Sequence, residues 1–120
     1  MGKRSPVTVR MSSTPLSTIA MSTVVLGELL YGALRSNKPV ANWNDVIAFA
    51  NQFVMLSFDN VAAEVYARIR ATLTTAGNTI GPNDLLIAAT ALSNGLTLVT
   101  HNTTEFSRVP GLLMEDWQLP

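Results

Sequence analysis

Carboxylates are the side chains that say most about chemistry in this sequence. It holds eight Asp and Glu residues, one His (His101) and no Cys. Thiolate zinc sites, Cys nucleophiles and disulfide scaffolds are thereby excluded, as is any multi-His metal centre. A metal bound here must take oxygen ligands, which points to Mg²⁺ or Mn²⁺. Most of the acids have plain explanations. Asp45 is expected in the first turn of a helix and Asp59 at a helix cap, where free N–H groups favour negative charge. Glu64 stands one helical turn before Arg68, a spacing that lets the two pair. Glu105 falls in a short turn, and Glu115 and Asp116 lie near the chain end.

Glu28 and Asp84 are different. Glu28 is embedded in Val24-Val25-Leu26-Gly27-Glu28-Leu29-Leu30-Tyr31-Gly32, and Asp84 opens the most apolar helical stretch of the chain. A carboxylate in apolar surroundings is protonated, paired or bound to a cation, because burying a lone charge is expensive. One reading makes Asp84 a helix-start carboxylate and Glu28 a water-facing residue between two apolar stripes. The other brings both to a shared divalent cation that offsets their desolvation. Their carboxylates would then lie about 4–8 Å apart at one end of a sheet.

The elements that must position these acids follow from periodicity and stop signals. Residues 1–18 are rich in Ser, Thr and Pro and are expected to be irregular or a partial helix, with one domain over 19–120. Strands are expected at 19–22, 54–58 and 96–100. A helix capped by Ser22 or Thr23 should run to about residue 35, where Ser36-Asn37-Lys38-Pro39 ends it, and a second should cover 42–52. A long helix capped by Asp59 or Asn60 should end at Gly77, and a nearly all-apolar helix should cover 85–93. A short helical turn at 103–106 and a final run at 112–117 complete the chain. This alternation predicts an α/β fold of three layers, with a mostly parallel central sheet covered by helices. The expected core comprises Val25, Leu29, Val65, Ile69, Leu86, Ile87, Leu92 and Leu98.

Composition narrows the classes of function. Of the 120 residues, 48% are apolar and 13% charged, which excludes intrinsic disorder. The formal net charge is zero, so coating of nucleic acid by bulk charge is disfavoured, while a local basic patch is allowed. Its residues would come from Lys3, Arg4, Arg10, Arg35, Lys38, Arg68, Arg70 and Arg108, of which Arg68 and Arg70 read most simply as a solvated helix face. The apolar stretch 19–34 loosely imitates a signal peptide, but Glu28 interrupts it, and no apolar run approaches the roughly 18 residues of a membrane span. A cytoplasmic protein without a membrane segment is expected.

Five blocks resemble a known family. They are Glu28-Leu29-Leu30-Tyr31-Gly32-Ala33 with Arg35-Ser36; Gly81-Pro82-Asn83-Asp84-Leu85-Leu86-Ile87-Ala88-Ala89; Leu98-Val99-Thr100-His101-Asn102; Glu105-Phe106-Ser107-Arg108-Val109-Pro110-Gly111-Leu112; and Glu115-Asp116-Trp117. In this order and spacing they resemble the PIN-domain toxins of the VapC type, over residues 19–117. The resemblance implies a Mg²⁺- or Mn²⁺-dependent endoribonuclease of a type II toxin–antitoxin system, acting on tRNA or other structured RNA. It further implies a homodimer and a cognate antitoxin that blocks the site.

By the same resemblance, Glu28 and Asp84 are metal-binding acids. The family often places Asp where this chain has Asn102, and Glu105 is a plausible substitute acid. Asn83 and Thr100 would position ligands or a phosphate. The family also begins with an apolar strand ending in an Asp, which is a principal metal ligand. This sequence lacks that strand and reads as an N-terminally truncated version, which would leave two strand edges without a partner. A site built from Glu28, Asp84 and Glu105 is undercharged, so weaker metal binding and low turnover are expected. The alternative is a catalytically inactive PIN remnant that serves as a dimerisation or antitoxin-binding module.

Overall fold

Caps and prolines set the helix boundaries. The computed structural model describes residues 20–100 and 102–116; the segment 1–18, Ile19, His101 and Trp117 lie outside the described residues. The order is β1 (Ala20–Ser22), α1 (Thr23–Leu34), α2 (Pro39–Ala50), β2 (Val54–Leu56), α3 (Asn60–Thr75), α4 (Pro82–Ser93), β3 (Leu98–Val99), α5 (Thr103–Phe106) and β4 (Met114–Glu115). The Ser22 hydroxyl accepts the Val24 N–H at 3.1 Å and starts α1. Asp59 Oδ1 accepts the Ala62 N–H at 2.9 Å and starts α3. Both caps satisfy donors that have no partner within the helix. Replacing Asp59 by Ala is expected to lower the unfolding free energy by about 1 kcal/mol, measurable as a shift of the urea midpoint.

Helix α2 begins three residues before the expected 42–52. Pro39 was expected to end the preceding helix and instead sits in the first turn of α2. Its fixed φ and missing N–H suit that position. Asp45 therefore lies in the body of α2, and the first turn holds no acid. Ser36 ties α1 to α2. Its hydroxyl donates to the Ala33 carbonyl at 2.6 Å and accepts from Asn42 Nδ2 at 2.8 Å.

Helix α3 ends at Gly77 as expected. Gly77 has φ +68°, its N–H donates to the Thr74 carbonyl, and the Asn78 N–H reaches back to Leu73. Gly95, with φ +65°, closes α4 by the same pattern through Leu92 and Ala91. Both positions need the left-handed conformation that glycine adopts without strain.

The strands are short and parallel, but they divide into two pairs. Ala20, Met21 and Ser22 of β1 pair with Val54, Met55 and Leu56 of β2. Leu98 and Val99 of β3 pair with Met114 and Glu115 of β4. Among the described residues the β1–β2 and β3–β4 pairs are not joined into one sheet. The expected strands 54–58 and 96–100 are correspondingly shorter.

The core is built around α4, which packs on α3 and touches α1 and β1. Leu85, Ile87, Ala88, Ala89, Thr90 and Ala91 of α4 are buried, as its uniform apolarity requires. Ile69, Leu73, Phe106, Val109 and Leu112 join them. Of the expected core residues, Ile69 and Ile87 are buried. Val25, Val65, Leu92 and Leu98 pack against the core from partly exposed positions, and Leu86 is half-buried. Leu29 is a correction, since it is 40% exposed. From α1, Val24 and Val25 are the partly buried apolar residues that pack against the core. Among the described residues no helix is long and apolar enough to cross a membrane.

Candidate active site at the N-terminus of helix α4

Pro82, Asn83 and Asp84 form the first turn of α4, with Gly81 as its N-cap. The reading of Asp84 as a helix-start carboxylate is therefore correct, but it accounts for only part of the arrangement. Three other segments meet this turn. Glu28 arrives from the exposed side of α1, and its Oε1 accepts from Asn83 Nδ2 at 2.9 Å. Glu105 arrives from α5, and its Oε1 accepts the Gly81 N–H at 2.6 Å. Asn102, just before α5, donates from Nδ2 to the other oxygen of Glu105 at 2.6 Å. The hydroxyl of Thr100 accepts the Asn102 N–H at 3.0 Å and fixes the turn that leaves β3.

The six residues singled out from the sequence thus belong to one hydrogen-bonded neighbourhood. Glu28 and Asp84 stand on the same side of the molecule, linked through Asn83. A Cβ placed on Gly81 would lie 3.5 Å from Glu105 Oε1 and 3.7 Å from Asp84 Oδ2, so both acids flank that glycine. The sequence reading missed two contributors. One is the Gly81 N–H, which carries no side-chain signal. The other is the action of the Arg108 charge on Glu105, since Arg108 was named only as one of eight candidates for a basic patch. Its position three residues after Glu105 is a neighbouring spacing on a helical turn and was the available clue.

The electrostatics are those of crowded like charges. Partial burial, then the Glu105 charge, a hydrogen bond to Glu105 and the Glu28 charge push the Asp84 carboxyl from 3.8 up to about 6. Protonated Asp84 donates to Glu105. Glu105 moves the other way and stays below its ordinary value. The Gly81 N–H stabilises its charged form most, followed by the Asn102 amide, and Asp84 and Arg108 add to this. One acid is held ionised while its neighbour retains a proton into the mildly acidic range.

This donor set fits a hard divalent cation. Glu28, Asp84 and Glu105 offer carboxylate oxygens, and Asn83 and Asn102 offer amide oxygens that a rotation would expose. Among the described residues, no three acids yet close tightly enough to hold one metal ion between them. Charges influence each other over several ångströms, whereas shared ligands must come within about 2.0–2.6 Å of the ion. The acids are therefore neighbours that would have to draw together to chelate an ion. Asn83→Ala is expected to release Glu28 and lower metal affinity about tenfold, the usual effect of losing an orienting partner. Titration with Mn²⁺ followed by electron paramagnetic resonance checks this.

The PIN domain family model matches residues 7–112. The ribonuclease VapC2 of Rickettsia felis is 40% identical over 101 residues, covering 84% of this chain and 75% of that protein. The tRNA(fMet)-specific endonuclease VapC of Shigella flexneri is 43% identical over 99 residues, covering 82% and 75%. Among solved structures, DNA-bound VapBC from Salmonella typhimurium superposes with a TM-score of 0.89 at 38% identity, covering 97% of this chain and 87% of that one. The chain belongs to the PIN-domain family. Within that family its relatives are the VapC ribonucleases, at about 40% identity over most of its length.

Proposed function

We propose that this protein is a Mg²⁺- or Mn²⁺-dependent endoribonuclease, the toxin of a type II toxin–antitoxin pair, and that it cuts tRNA. The observation that carries this reading is the meeting of Glu28, Asp84 and Glu105 at the first turn of α4, with Asn83 and the Gly81 N–H orienting two of them. The relatives named for tRNA(fMet) cleavage support tRNA as the substrate. The solved VapBC complexes support an antitoxin partner. The α1–α2 hairpin leaves Tyr31, Leu34 and Val40 60%, 59% and 75% exposed, apolar surface that such a partner would cover. A homodimer and a cytoplasmic location complete the proposal.

The chemistry is hydrolysis of a phosphodiester. Water adds to phosphorus, the P–O bond to the leaving oxygen breaks, and that oxygen takes up a proton. A divalent cation, when bound, supplies Lewis-acid polarisation of the phosphate and a more acidic water. Glu28, Asp84 and Glu105 would hold it. Asn83 keeps Glu28 turned toward Asp84, and Asn102 with the Gly81 N–H keeps Glu105 ionised and fixed. Asp84 would hold the cation only in its ionised form, so its occupancy would depend on pH near 6. The Thr100 hydroxyl, anchored at the end of β3, donates to a phosphate oxygen.

A second reading, a PIN domain that binds antitoxin but does not hydrolyse RNA, is favoured by the loose spacing of the three acids. Incubation of the purified chain with a tRNA pool, in Mg²⁺ and in EDTA, separates the two on a denaturing gel. Discrete fragments that appear only with Mg²⁺ are expected. Intact tRNA at high enzyme and metal concentration would favour the inactive module.

A further inference from the structure

The segment that carries the acid cluster also forms one wall of a second concavity. A cleft of about 310 Å³ lies beside it, lined by Tyr66, Arg70, Leu73, Thr79, Ile80 and Pro82 among others. Its volume sits at the lower end of the range for small-ligand pockets, about 300–1,000 Å³. No acid lines it. Arg70 is exposed, yet its position is fixed from within the protein. Its Nη1 donates to the Tyr66 hydroxyl at 2.8 Å, and its guanidinium carbon lies 5.9 Å from the centre of that ring. Tyr66 is in turn braced edge-on by Phe58, with centroids 5.7 Å apart. A guanidinium offers five N–H donors in a planar fork, so one bond to Tyr66 leaves others for a ligand at little cost in ordering.

The wall from Thr79 to Pro82 connects this cleft to the site. Arg108 Nη1 donates to the Thr79 carbonyl at 2.9 Å, while its charge acts on Glu105. Glu105 in turn holds the Gly81 N–H. Arg108 thus acts on the acid cluster, and Arg70 lines the cleft on whose wall Thr79 and Pro82 stand, although the chain as a whole has no net charge. We propose that the Tyr66–Arg70 cleft is a nucleotide subsite next to the reacting phosphate, in which Arg70 pairs with a backbone phosphate of single-stranded RNA and the apolar floor of Leu73 and Ile80 takes the adjoining base. The proposal rests on the ribonuclease reading and extends it to a positioning residue. RNA fits better than a protein segment because a charged planar fork, an aromatic ring and an acid-free lining are what a nucleotide requires.

The test is binding of a fluorescent single-stranded oligoribonucleotide to the full chain in EDTA, followed by anisotropy over a series of NaCl concentrations. Arg70→Gln is expected to weaken binding about tenfold at low salt and to reduce the slope of log affinity against log salt by about 0.7, the value for one phosphate on a single strand. Arg70→Lys should restore the slope but not the full affinity, because lysine lacks the fork. In Mg²⁺, Arg70→Gln should raise KM and leave kcat within about twofold, as expected when uniform binding is lost. Affinity and slope unchanged in Arg70→Gln would overturn the cleft assignment while leaving the ribonuclease reading intact. An Arg70-dependent slope in a chain that never cuts RNA in Mg²⁺ would keep the cleft and sink the nuclease. If Arg70→Gln alters the sedimentation of the chain while the RNA slope stays fixed, the surface serves a second copy and the proposal fails.

Discussion

Asp84→Asn is expected to abolish metal-dependent RNA cleavage and, at neutral pH, to make the metal-free protein more stable. The first effect follows from the site. Asp84 is the acid that both other carboxylates bear upon, and an amide brings no charge to a cation. The loss should reach at least about 10³-fold, the scale on which groups acting directly in the transition state are felt. The second effect follows from crowding. In the folded chain the carboxyl loses its proton near pH 6, against 3.8 without its neighbours. Below pH 3.8 it is protonated in both the folded and unfolded states, and its ionisation costs nothing. Between 3.8 and about 6 the unfolded chain releases this proton and the folded chain retains it, so stability falls as pH rises through that window. Above it the full cost remains. Asparagine has no proton to lose and can still donate to Glu105 as protonated Asp84 does. Thermal unfolding in EDTA should therefore show matching melting temperatures at low pH and a gap in favour of the variant that opens up to about pH 6. A variant less stable than the parent at pH 7 would mean that Asp84 acts there as a stabilising helix-start charge.

Glu105→Gln is the second large effect, and it runs the other way. Glu105 is an acceptor at both oxygens, from the Gly81 N–H and from Asn102 Nδ2. Glutamine can satisfy only one of these donors and presents its own NH₂ group to the other. The lost bond and the facing donors should cost about 1–2 kcal/mol, discounted for the partial exposure of the site. Cleavage should fall at least about 10²-fold as the metal site loses a charge. The polarity can be reversed on purpose. Combining Glu105→Gln with Asn102→Asp lets the glutamine NH₂ donate to the new carboxylate and returns one negative charge to the cluster. The double variant should regain stability and part of the activity relative to Glu105→Gln alone, whereas independent sites would simply add their losses. Additive losses would show that the Asn102–Glu105 contact has no energetic weight.

Much of this site was legible before the structure. Asp84 stood out because a carboxylate opened an almost wholly apolar helix, and that helix is the buried centre of the fold. Glu28 stood out for the same reason in α1, although it proved exposed and hydrogen-bonded rather than buried. Asn102 and Glu105 were named together, and one amide-to-carboxylate bond joins them. The Gly81 N–H was not legible, because backbone donors leave no mark in composition and its partner lies 24 residues away. Leu29 was misread for a related reason. Helical periodicity identifies an apolar stripe but not which part of it is covered, and in α1 it is Val24 and Val25 that pack against the core. Pro39 was read as a stop and acts as a start, since proline suits the first turn of a helix as well as it ends one. Strand pairing was the least accessible feature. Parallel strands are joined by long connections, and local patterning does not state which pairs share a sheet.

The central claim is that Glu28, Asp84 and Glu105 make one cation site that serves RNA hydrolysis. Its most direct test is Mn²⁺ binding by electron paramagnetic resonance, measured beside tRNA cleavage in the wild-type chain and in Glu28→Gln, Asp84→Asn and Glu105→Gln. The expected result is that each substitution weakens Mn²⁺ binding and cleavage together, with wild-type affinity falling about tenfold per pH unit below the Asp84 transition. Mn²⁺ affinity unchanged in all three variants, or cleavage that survives the loss of Asp84, would contradict it.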